Sequence, residues 1–262
     1  MGTRGRLFSA LRYSSSILDS NQIYFKDLFV FRKKSYREKI KFLEKYDCEY
    51  IFVAYGKTDP SLEISELFEA NVTVPIELFE ICSLLGLRLV IFGSSLETQE
   101  IQNRYFDSKR ELTRFLESEG FAGVTVFHLH SMYGFVTNPS WSLLGQIERS
   151  ILFGKTLDLT EGKQTREFLH WEDFFLQAWS HLKLDGIVTL CSGLEVTIEE
   201  LILAFHEEYK ESFRYRLGIK DYHPEEIMKL DYALMTNVSI LGAKFRHPIT
   251  GIIKDFQDRL VI

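Results

Sequence analysis

The sequence has few of the residues that build covalently cross-linked or metal-stabilised scaffolds. Its 262 residues include only three cysteines, Cys48, Cys82 and Cys191, which lie far apart in apolar surroundings. This spacing indicates reduced core residues rather than disulfides or a metal site. We therefore predict a cytoplasmic protein without a bound metal, in which the sequons at Asn71 and Asn237 carry no glycan.

Long apolar runs and an excess of positive charge are also missing. No run reaches the length of a membrane-spanning helix, and no apolar signal segment opens the chain. The 31 lysines and arginines are outnumbered by 37 aspartates and glutamates, so the formal charge is -6, and both signs are mixed along the chain. This balance argues against a nucleic-acid surface. We expect neither a membrane nor a nucleic-acid partner.

The chain does have enough apolar residues, 45% of the total, to bury a full core. Short apolar runs predict buried strands, and segments with helical apolar spacing alternate with them. This order is typical of a doubly wound parallel sheet. The predicted strands are residues 21–28, 50–54, 89–92, 124–129, 156–159 and 187–190, and the main predicted helices are 35–46, 62–85, 105–116, 141–153, 174–182 and 249–260.

The apolar strands become sparse after about residue 160, which predicts a smaller second lobe. We expect a dinucleotide-binding domain over residues 1–160 and a substrate-binding lobe mainly over 161–262, interleaved with the first domain. Local signals add detail: Ser35 is a predicted N-cap, Pro75 predicts a kink, and Thr197 begins a capping box. Asp173 is expected to cap the helix that follows it.

The most informative stretch runs from residue 89 to residue 116. A buried strand ends at Gly93, and Ser95 follows it, while Tyr105 and Lys109 lie four residues apart on one face of a predicted helix. A hydroxyl, a phenol and an ammonium together can handle a proton: the ammonium favours phenolate, and Ser95 hydrogen-bonds the substrate oxygen. The structural alternative is a surface helix that carries a tyrosine and a lysine.

The first residues contain Gly2 and Gly5, followed by a helical stretch. A glycine turn before a helix exposes backbone N–H groups that can bind a pyrophosphate. Phe8 stands where the dinucleotide-binding pattern has its third glycine, and no strand precedes Gly2. A flexible terminus is the alternative.

Taken in order, these segments resemble the extended short-chain dehydrogenase/reductase superfamily, in particular its NAD-dependent epimerase/dehydratase group acting on nucleotide sugars. The resemblance covers nearly the whole chain, and it implies a Rossmann-like fold. It rests on the shared order of Gly2-x-x-Gly5, Ala54-x-Gly56, Asn71-Val72, Phe92-Gly93-Ser94-Ser95, Tyr105-x-x-x-Lys109, Tyr133-Gly134, Gly154-Lys155, the segment from Gln164 to Asp173, and Gly193 before Thr197.

The resemblance also implies roles for individual residues. Tyr105 would be the general acid/base, Lys109 would lower its pKa and bind the nicotinamide ribose, and Ser95 would hold the reacting oxygen. The remaining implied contacts are with the cofactor, NAD or NADP, for Gly2, Gly5, Ala54 and Gly56, and with the substrate diphosphate for Arg166. Asn71 would be structural or close to the cofactor. A homodimer through a four-helix bundle, formed by residues 62–85 and 105–116, is also implied.

Several alternatives and departures stay open. Arg166 pairs with Glu167 or Glu172 in a purely structural interpretation, and His170 is expected to be packed in the core. His128 and His130 flank a strand end without partners at metal-ligand spacing. The interval between Ser95 and Tyr105 is short for the family, and the strand expected before Gly2 either lies upstream or has been lost.

Two functions follow from this sequence. The first is an epimerase, dehydratase or 4-keto reductase of nucleotide sugars. The second is a catalytically impaired member that binds a nucleotide sugar or a partner subunit without turnover. The loss of the first strand and Phe8 favour the second function, whereas Ser95, Tyr105 and Lys109 favour the first.

Overall fold

The structure is a computed structural model that describes residues 7, 9–12, 31–59, 61–99, 101–134 and 138–260. The glycine turn at Gly2 and Gly5 and the predicted strand at residues 21–28 lie outside this part of the chain. The α-helices are α1 (Tyr36–Leu43), α2 (Ile64–Phe68), α3 (Val74–Leu85), α4 (Arg104–Ser118), α5 (Leu143–Phe153), α6 (Trp171–Ala178), α7 (Ile198–Tyr209) and α8 (Pro248–Arg259). The strands are β1 (Tyr50–Phe52), β2 (Arg88–Ser94), β3 (Val124–Leu129), β4 (Ser131–Tyr133), β5 (Leu157–Asp158), β6 (Thr165–His170), β7 (Gly186–Cys191), β8 (Glu195–Thr197), β9 (Tyr215–Arg216) and β10 (Val238–Ile240).

Contacts divide the chain into two units that are interleaved along the sequence. Unit 1 comprises Met1–Leu129, Phe175–Leu190 and Ala233–Ser239, and unit 2 comprises His130–Phe174, Cys191–Tyr232 and Ile240–Ile262. The sequence predicts two functional domains with a boundary near residue 160. A division by contacts does not test such domains, so that boundary stays a prediction.

The five-stranded sheet of unit 1 confirms the predicted α/β fold. Its strand order is β1-β2-β3-β7-β10, and the first three pairings are parallel. The register places Phe52 beside Val90 and Phe127 beside Val188. Strands β2 and β3 are buried along most of their length because helices cover such sheets on both faces. Their near-continuous apolar sequences reflect that environment.

The long helix predicted over residues 62–85 is interrupted near its middle. Helix α2 leads into a π-helical turn at Glu69–Thr73, and α3 begins directly after it, with Pro75 in its first turn. Proline has no backbone N–H to donate to the carbonyl four residues earlier, so regular α-helical bonding cannot continue through Pro75. The π turn absorbs the resulting mismatch and buries Asn71.

Apolar side chains from one face of the sheet and from the helices packed against it build this core of unit 1. Leu89 and Ile91 of β2 and Val124 and Val126 of β3 are all buried there. Helix residues complete the cluster from α3 and α4, including Leu78, Ile81, Leu112 and Leu116. Burying each such side chain contributes about 1.5–3 kcal/mol before the entropic costs of folding. This core fixes the positions of β2 and β3. Because the two strands are parallel, their carboxyl ends lie at the same edge of the sheet.

Unit 2 has its own small sheet and its own core. Strand β6 pairs in parallel with β4 and antiparallel with β8, and Tyr133, Phe168 and Phe205 are buried in the unit's apolar cluster. The helix predicted from residue 174 begins at Trp171 instead, directly after β6. Asp173 therefore lies within the first turn of α6 rather than at a cap.

The carboxylate of Asp173 has a different partner from the one predicted. It accepts hydrogen bonds from the backbone N–H of Arg246 and from its guanidinium at 2.7–3.1 Å. Glu172 binds the same guanidinium at 2.7 Å. The cap prediction was wrong because a cation distant in sequence competes for this carboxylate. His170 is buried as predicted, and its ring packs edge-on against Tyr133.

None of the helices in the described part of the chain combines the length and apolar character needed to cross a bilayer.

We expect Thr197→Ala to lower the free energy of unfolding by about 1 kcal/mol. The Thr197 hydroxyl accepts the N–H of Glu200 at 3.0 Å, and the Glu200 carboxylate accepts the N–H of Thr197 at 2.7 Å, which completes the predicted capping box. Urea denaturation measures the loss. Thr197→Ser keeps the hydroxyl and should match the parent protein, and an equal loss in both variants would contradict the capping role.

Candidate functional site

The candidate site begins where β2 ends. Ser94 closes the strand, and its hydroxyl accepts the N–H of Leu96 at the start of a 3-10 turn that spans Ser95–Thr98. Ser95 is buried at the first position of this turn. In open α/β sheets, ligands bind beyond the carboxyl ends of the strands. The predicted hydroxyl therefore lies at the edge of the sheet where such folds bind their ligands.

The short connection from Ser95 to Tyr105 is organised by two polar side chains. The Arg110 guanidinium donates to the carbonyl oxygens of Glu97, Gln99 and Ile101 at 2.7–3.4 Å. Asn103 caps α4, since its side-chain oxygen accepts the N–H of Tyr105 at 2.8 Å. These bonds fix Tyr105 in the first turn of α4 without a longer loop.

Tyr105 and Lys109 lie side by side, as their spacing predicts. The Lys109 ammonium is 6.0 Å from the centroid of the Tyr105 ring. Lys109 is buried, and its Nζ donates to the carbonyl oxygen of Phe92 in β2 at 2.9 Å. This bond ties the helix to the strand, so it fixes the position of the ammonium. Lys109 is therefore not an exposed surface residue, as the structural alternative would require.

A buried carboxylate, Glu97, accompanies the lysine. Its Oε1 lies 3.0 Å from Nε2 of His128 and accepts the Thr113 hydroxyl at 2.8 Å. Its Oε2 accepts the N–H of Ser94 at 2.8 Å. A Cβ added to Gly93 would lie 2.8 Å from the His128 ring and 3.0 Å from Glu97, so only glycine fits here without displacement. Gly93 thus makes room for the pair.

The pKa values of the cluster reflect burial and this charge. Burial alone would raise the pKa of Glu97, but the hydrogen bond and charge of His128 and the charge of Lys109 lower it overall. Burial lowers the pKa of Lys109, and Glu97 opposes that change. Burial, and then the charge of Glu97, raise the pKa of Tyr105. The resemblance implies a lowered pKa for this phenol, whereas its surroundings in the structure raise it.

Asn71 bonds both the loop after β1, where cofactor contacts are predicted, and α4, which carries the predicted catalytic residues. Its side chain exchanges hydrogen bonds of 2.9 Å with the backbone of Lys57 and donates to the Ser108 hydroxyl at 3.0 Å. Ser108 in turn donates to the carbonyl oxygen of Tyr105 at 2.6 Å. Asn71 is therefore structural in the described chain, joining the loop after β1 to α4.

Gly56 lies against the same group of side chains. A Cβ added to Gly56 would be 3.1 Å from the amide oxygen of Asn71 and 3.9 Å from the Lys109 ammonium. Ala54 lies two residues before Gly56, in the same loop after β1. The structure thus brings Gly56, Asn71 and Lys109 together, although 53 residues separate the first from the last. An exposed glycine at this point leaves space for a ligand to approach the backbone.

Arg166 belongs to unit 2, where its guanidinium has protein partners. It donates to the carbonyl oxygens of Thr165 at 2.7 Å and Ile227 at 2.6 Å, and it forms an ion pair with Glu226. The partner is therefore neither Glu167 nor Glu172, which were the structural alternatives. A diphosphate at Arg166 would have to compete with Glu226. The role of Arg166 in substrate binding stays a prediction.

Sequence reasoning missed the residues that organise this site. His128 and Arg110 showed no local pattern, since each acts through partners that the fold supplies. Signals were available for Glu97, which forms a capping box with Ser94 three residues earlier, and for Asn103, which stands directly before a helical apolar pattern, as N-cap residues do. Among the groups considered for metal ligation, His130 lies beside two residues distant in sequence, Glu167 and Cys191.

Comparison with known proteins supports the fold and leaves sequence relationships undetected. No protein-family model matches the chain, and no curated protein sequence matches it. Solved structures do match. ADP-L-glycero-D-manno-heptose-6-epimerase from Helicobacter pylori has a TM-score of 0.74 at 17% identity, with 99% of this chain and 95% of that chain covered.

Two further matches were solved with ligands. MoeE5 in complex with UDP-glucuronic acid and NAD has a TM-score of 0.73 at 14% identity, covering 99% of this chain and 98% of that one. UDP-glucose 4-epimerase from Thermus thermophilus, in complex with NAD, has a TM-score of 0.61 at 14% identity, covering 84% and 82%. The structural neighbours are thus NAD-dependent enzymes of nucleotide sugars, and the predicted Rossmann-like fold is confirmed. At such identities the likeness shows the fold alone.

We expect Glu97→Gln to lower stability at neutral pH by about 1–3 kcal/mol, because His128 and Thr113 lose a charged buried acceptor and Lys109 loses a neighbouring negative charge. The folded-state pKa of Glu97 is lowered, so its contribution is present above the unfolded value of 4.5 and is lost as the pH falls through the folded value. The stabilities of the two proteins should therefore converge in acid.

Urea denaturation of both proteins between pH 7 and the acid limit of folding measures this convergence. The exposed residue Glu117 supplies a matched control, since Glu117→Gln should follow the parent protein throughout. A constant difference between Glu97→Gln and the parent protein at all pH values would contradict the assigned ionisation.

Proposed function

We propose that this protein is an NAD(P)-dependent enzyme that modifies nucleotide sugars, as an epimerase, dehydratase or 4-keto reductase, with Tyr105 as the general acid/base. One observation carries the proposal. Tyr105 and a buried Lys109 are neighbours on α4, with Lys109 bonded to the last part of β2, in a fold shared with NAD-dependent enzymes of this class. A phenol and an ammonium placed near each other beside the carboxyl-terminal part of a strand are suited to proton transfer.

The residues around Gly56 fit a nicotinamide cofactor. The glycine leaves room that a Cβ would fill, directly beside Asn71 and Lys109. An ammonium has three N–H donors, and the bond to Phe92 uses one of them, so Lys109 retains donors for ribose hydroxyls. Ala54 and Gly56 would line the cofactor, and Gly2 and Gly5 would contact its pyrophosphate. When bound, the cofactor supplies the acceptor or donor for hydride transfer at a sugar ring carbon.

The phenol of Tyr105 is the proton donor in this proposal. Its pKa is raised by burial and by Glu97, so the group is protonated at neutral pH. It is therefore set to protonate the oxygen of a sugar ketone as that ketone is reduced. Ser95, at the start of the 3-10 turn, would hydrogen-bond the same oxygen. Burial lowers the pKa of Lys109, and the carboxylate of Glu97 opposes that effect and so favours the charged ammonium.

The substrate end of the proposal rests on Arg166. A planar guanidinium suits diphosphate oxygens. Glu226 would release it when a nucleotide sugar binds, because two anions would compete for the same N–H groups. A homodimer through residues 62–85 and 105–116 and a cytoplasmic location accompany this proposal as predictions.

A second candidate function is binding of a nucleotide sugar or a partner subunit without turnover. Phe8 in the place of the third glycine favours it, since a large side chain there opposes close approach of a pyrophosphate-binding helix. Cofactor binding separates the two candidates.

The full chain should bind NAD(H) or NADP(H), with an affinity that weakens in Gly56→Val. The added side chain would meet Asn71 and fill the space proposed for the cofactor. Calorimetry and nicotinamide fluorescence measure binding. Gly86→Val is the control for a loss of stability, because its positive φ strains any side chain while an added Cβ there meets no heavy atom within 4 Å. Absence of binding at millimolar cofactor would favour the non-catalytic candidate.

Tyr105→Phe should reduce turnover of a nucleotide-sugar substrate by at least about 100-fold while cofactor affinity stays within about twofold, because it removes only the proton-carrying oxygen. Steady-state kinetics and calorimetry provide the two readouts. Tyr36→Phe, at an exposed tyrosine, is the matched control and should retain full activity. Equal activity in Tyr105→Phe and the parent protein would remove Tyr105 from its proposed role.

A further inference from the structure

Unit 2 contains three buried side chains that carry metal-ligating atoms: His130, Glu167 and Cys191. Nε2 of His130 is 3.2 Å from Sγ of Cys191 and 3.8 Å from Oε2 of Glu167. All three ligand atoms lie within 4.8 Å of one another. A point about 2.4 Å from each atom satisfies these separations, close to the 2.0–2.3 Å bonds that zinc forms with nitrogen, oxygen and sulfur.

The sheet topology explains how these residues meet. In the register of the neighbouring parallel strands β3 and β7, His128 pairs with Thr189. His130 and Cys191 each lie two residues further along the chain, at the carboxyl ends of those strands. Glu167 comes from β6, which belongs to the three-stranded sheet of unit 2. Gaps of 37 and 24 residues separate the three, so no local motif announces them.

The carboxylate of Glu167 is held in a fixed orientation. Its Oε1 accepts the backbone N–H groups of Ser192 and Gly193, the second at 3.2 Å. Its Oε2 accepts the hydroxyl of Tyr232 at 2.7 Å. Polar partners that orient a ligating carboxylate in this way are typical of metal sites. The oxygen nearest His130 keeps acceptor capacity, because a carboxylate oxygen has two lone pairs.

Unit 2 has a second cluster of possible metal ligands, which differs from the first in the charged groups that surround it. His170, Glu172 and Asp173 also bring ligand atoms together, but the guanidinium of Arg246 already binds both carboxylates. In the described part of the chain, no lysine or arginine forms an ion pair with Glu167. A buried anion without a cation is costly. A divalent cation with one carboxylate, one thiolate and one neutral imidazole would make the site electrically neutral.

We propose that His130, Glu167 and Cys191 bind a divalent cation of the zinc type. The nitrogen, oxygen and sulfur donor set suits zinc and its spectroscopic substitute cobalt. On binding, the Cys191 thiol loses its proton to solvent, and a sulfur–metal bond forms. The ion would tie together three segments of unit 2 that are distant in sequence. This inference is independent of the proposed enzymatic function, and it departs from the expectation of no metal that the cysteine spacing gave.

The test uses the untagged full chain, expressed in medium supplied with zinc or with cobalt so that the ion enters during folding. Elemental analysis should find one zinc per chain after dialysis. The cobalt protein should show the near-ultraviolet band of thiolate-to-cobalt charge transfer. A protein that retains no ion in either medium overturns the proposal and identifies the cluster as a hydrogen-bonded network only.

Variants assign the band to these residues. Cys191→Ser should lose the charge-transfer band, whereas Cys82→Ser, at a buried cysteine in unit 1, should keep it. Tyr232→Phe removes the hydroxyl that orients Glu167 and should weaken retention against a chelator by about 10–100-fold. Tyr222→Phe is its matched control, since Tyr222 bonds only the exposed Lys163 in this region.

The ion content of the parent protein decides the question even where Cys191→Ser fails to fold. An unchanged band in Cys191→Ser, or equal loss in Cys82→Ser, overturns the assignment. Equal retention in Tyr232→Phe and the parent protein would contradict the proposed orientation of Glu167.

Discussion

The buried carboxylate of Glu97 is the interaction on which the candidate site depends. It lies 3.0 Å from His128 and accepts hydrogen bonds from the N–H of Ser94 and the hydroxyl of Thr113. It also opposes the effect of burial on the pKa of Lys109. Burial, and then the same negative charge, raise the pKa of Tyr105. One anion thus shifts the pKa values of both Tyr105 and Lys109 in addition to the effect of burial, and the absence of a side chain at Gly93 leaves room for it.

A second constraint is the compactness of the connection between β2 and α4. Only nine residues separate Ser95 from Tyr105, yet Arg110 collects three backbone carbonyls of this segment and Asn103 caps the helix. Backbone acceptors that a longer loop would give to solvent are satisfied by one side chain of the helix itself. This arrangement positions Tyr105 and Lys109 on α4 with only a short connection from β2.

Prediction from sequence succeeded where the signal is local and periodic. The strands at residues 89–92 and 124–129, the helix carrying Tyr105, and the capping box at Thr197 all follow from apolar spacing and cap chemistry. It failed for Asp173, which was expected to cap a helix and instead binds Arg246, 73 residues away. Polar partners at such distances leave no periodic trace, because one contact can be supplied from any part of the chain.

The amino-acid sequence by itself determined the alternation of strands and helices between residues 35 and 129, since burial in a helix-covered sheet gives strands apolar runs and helices apolar periodicity. It also determined the four-residue spacing of Tyr105 and Lys109 on one helix face. Only the tertiary structure decided which charges meet: Glu97 with His128, Arg166 with Glu226, and Glu167 with His130 and Cys191. The physical reason is that electrostatic and ligand contacts depend on distance in space, which the packing of parallel strands sets, and hardly at all on separation along the chain.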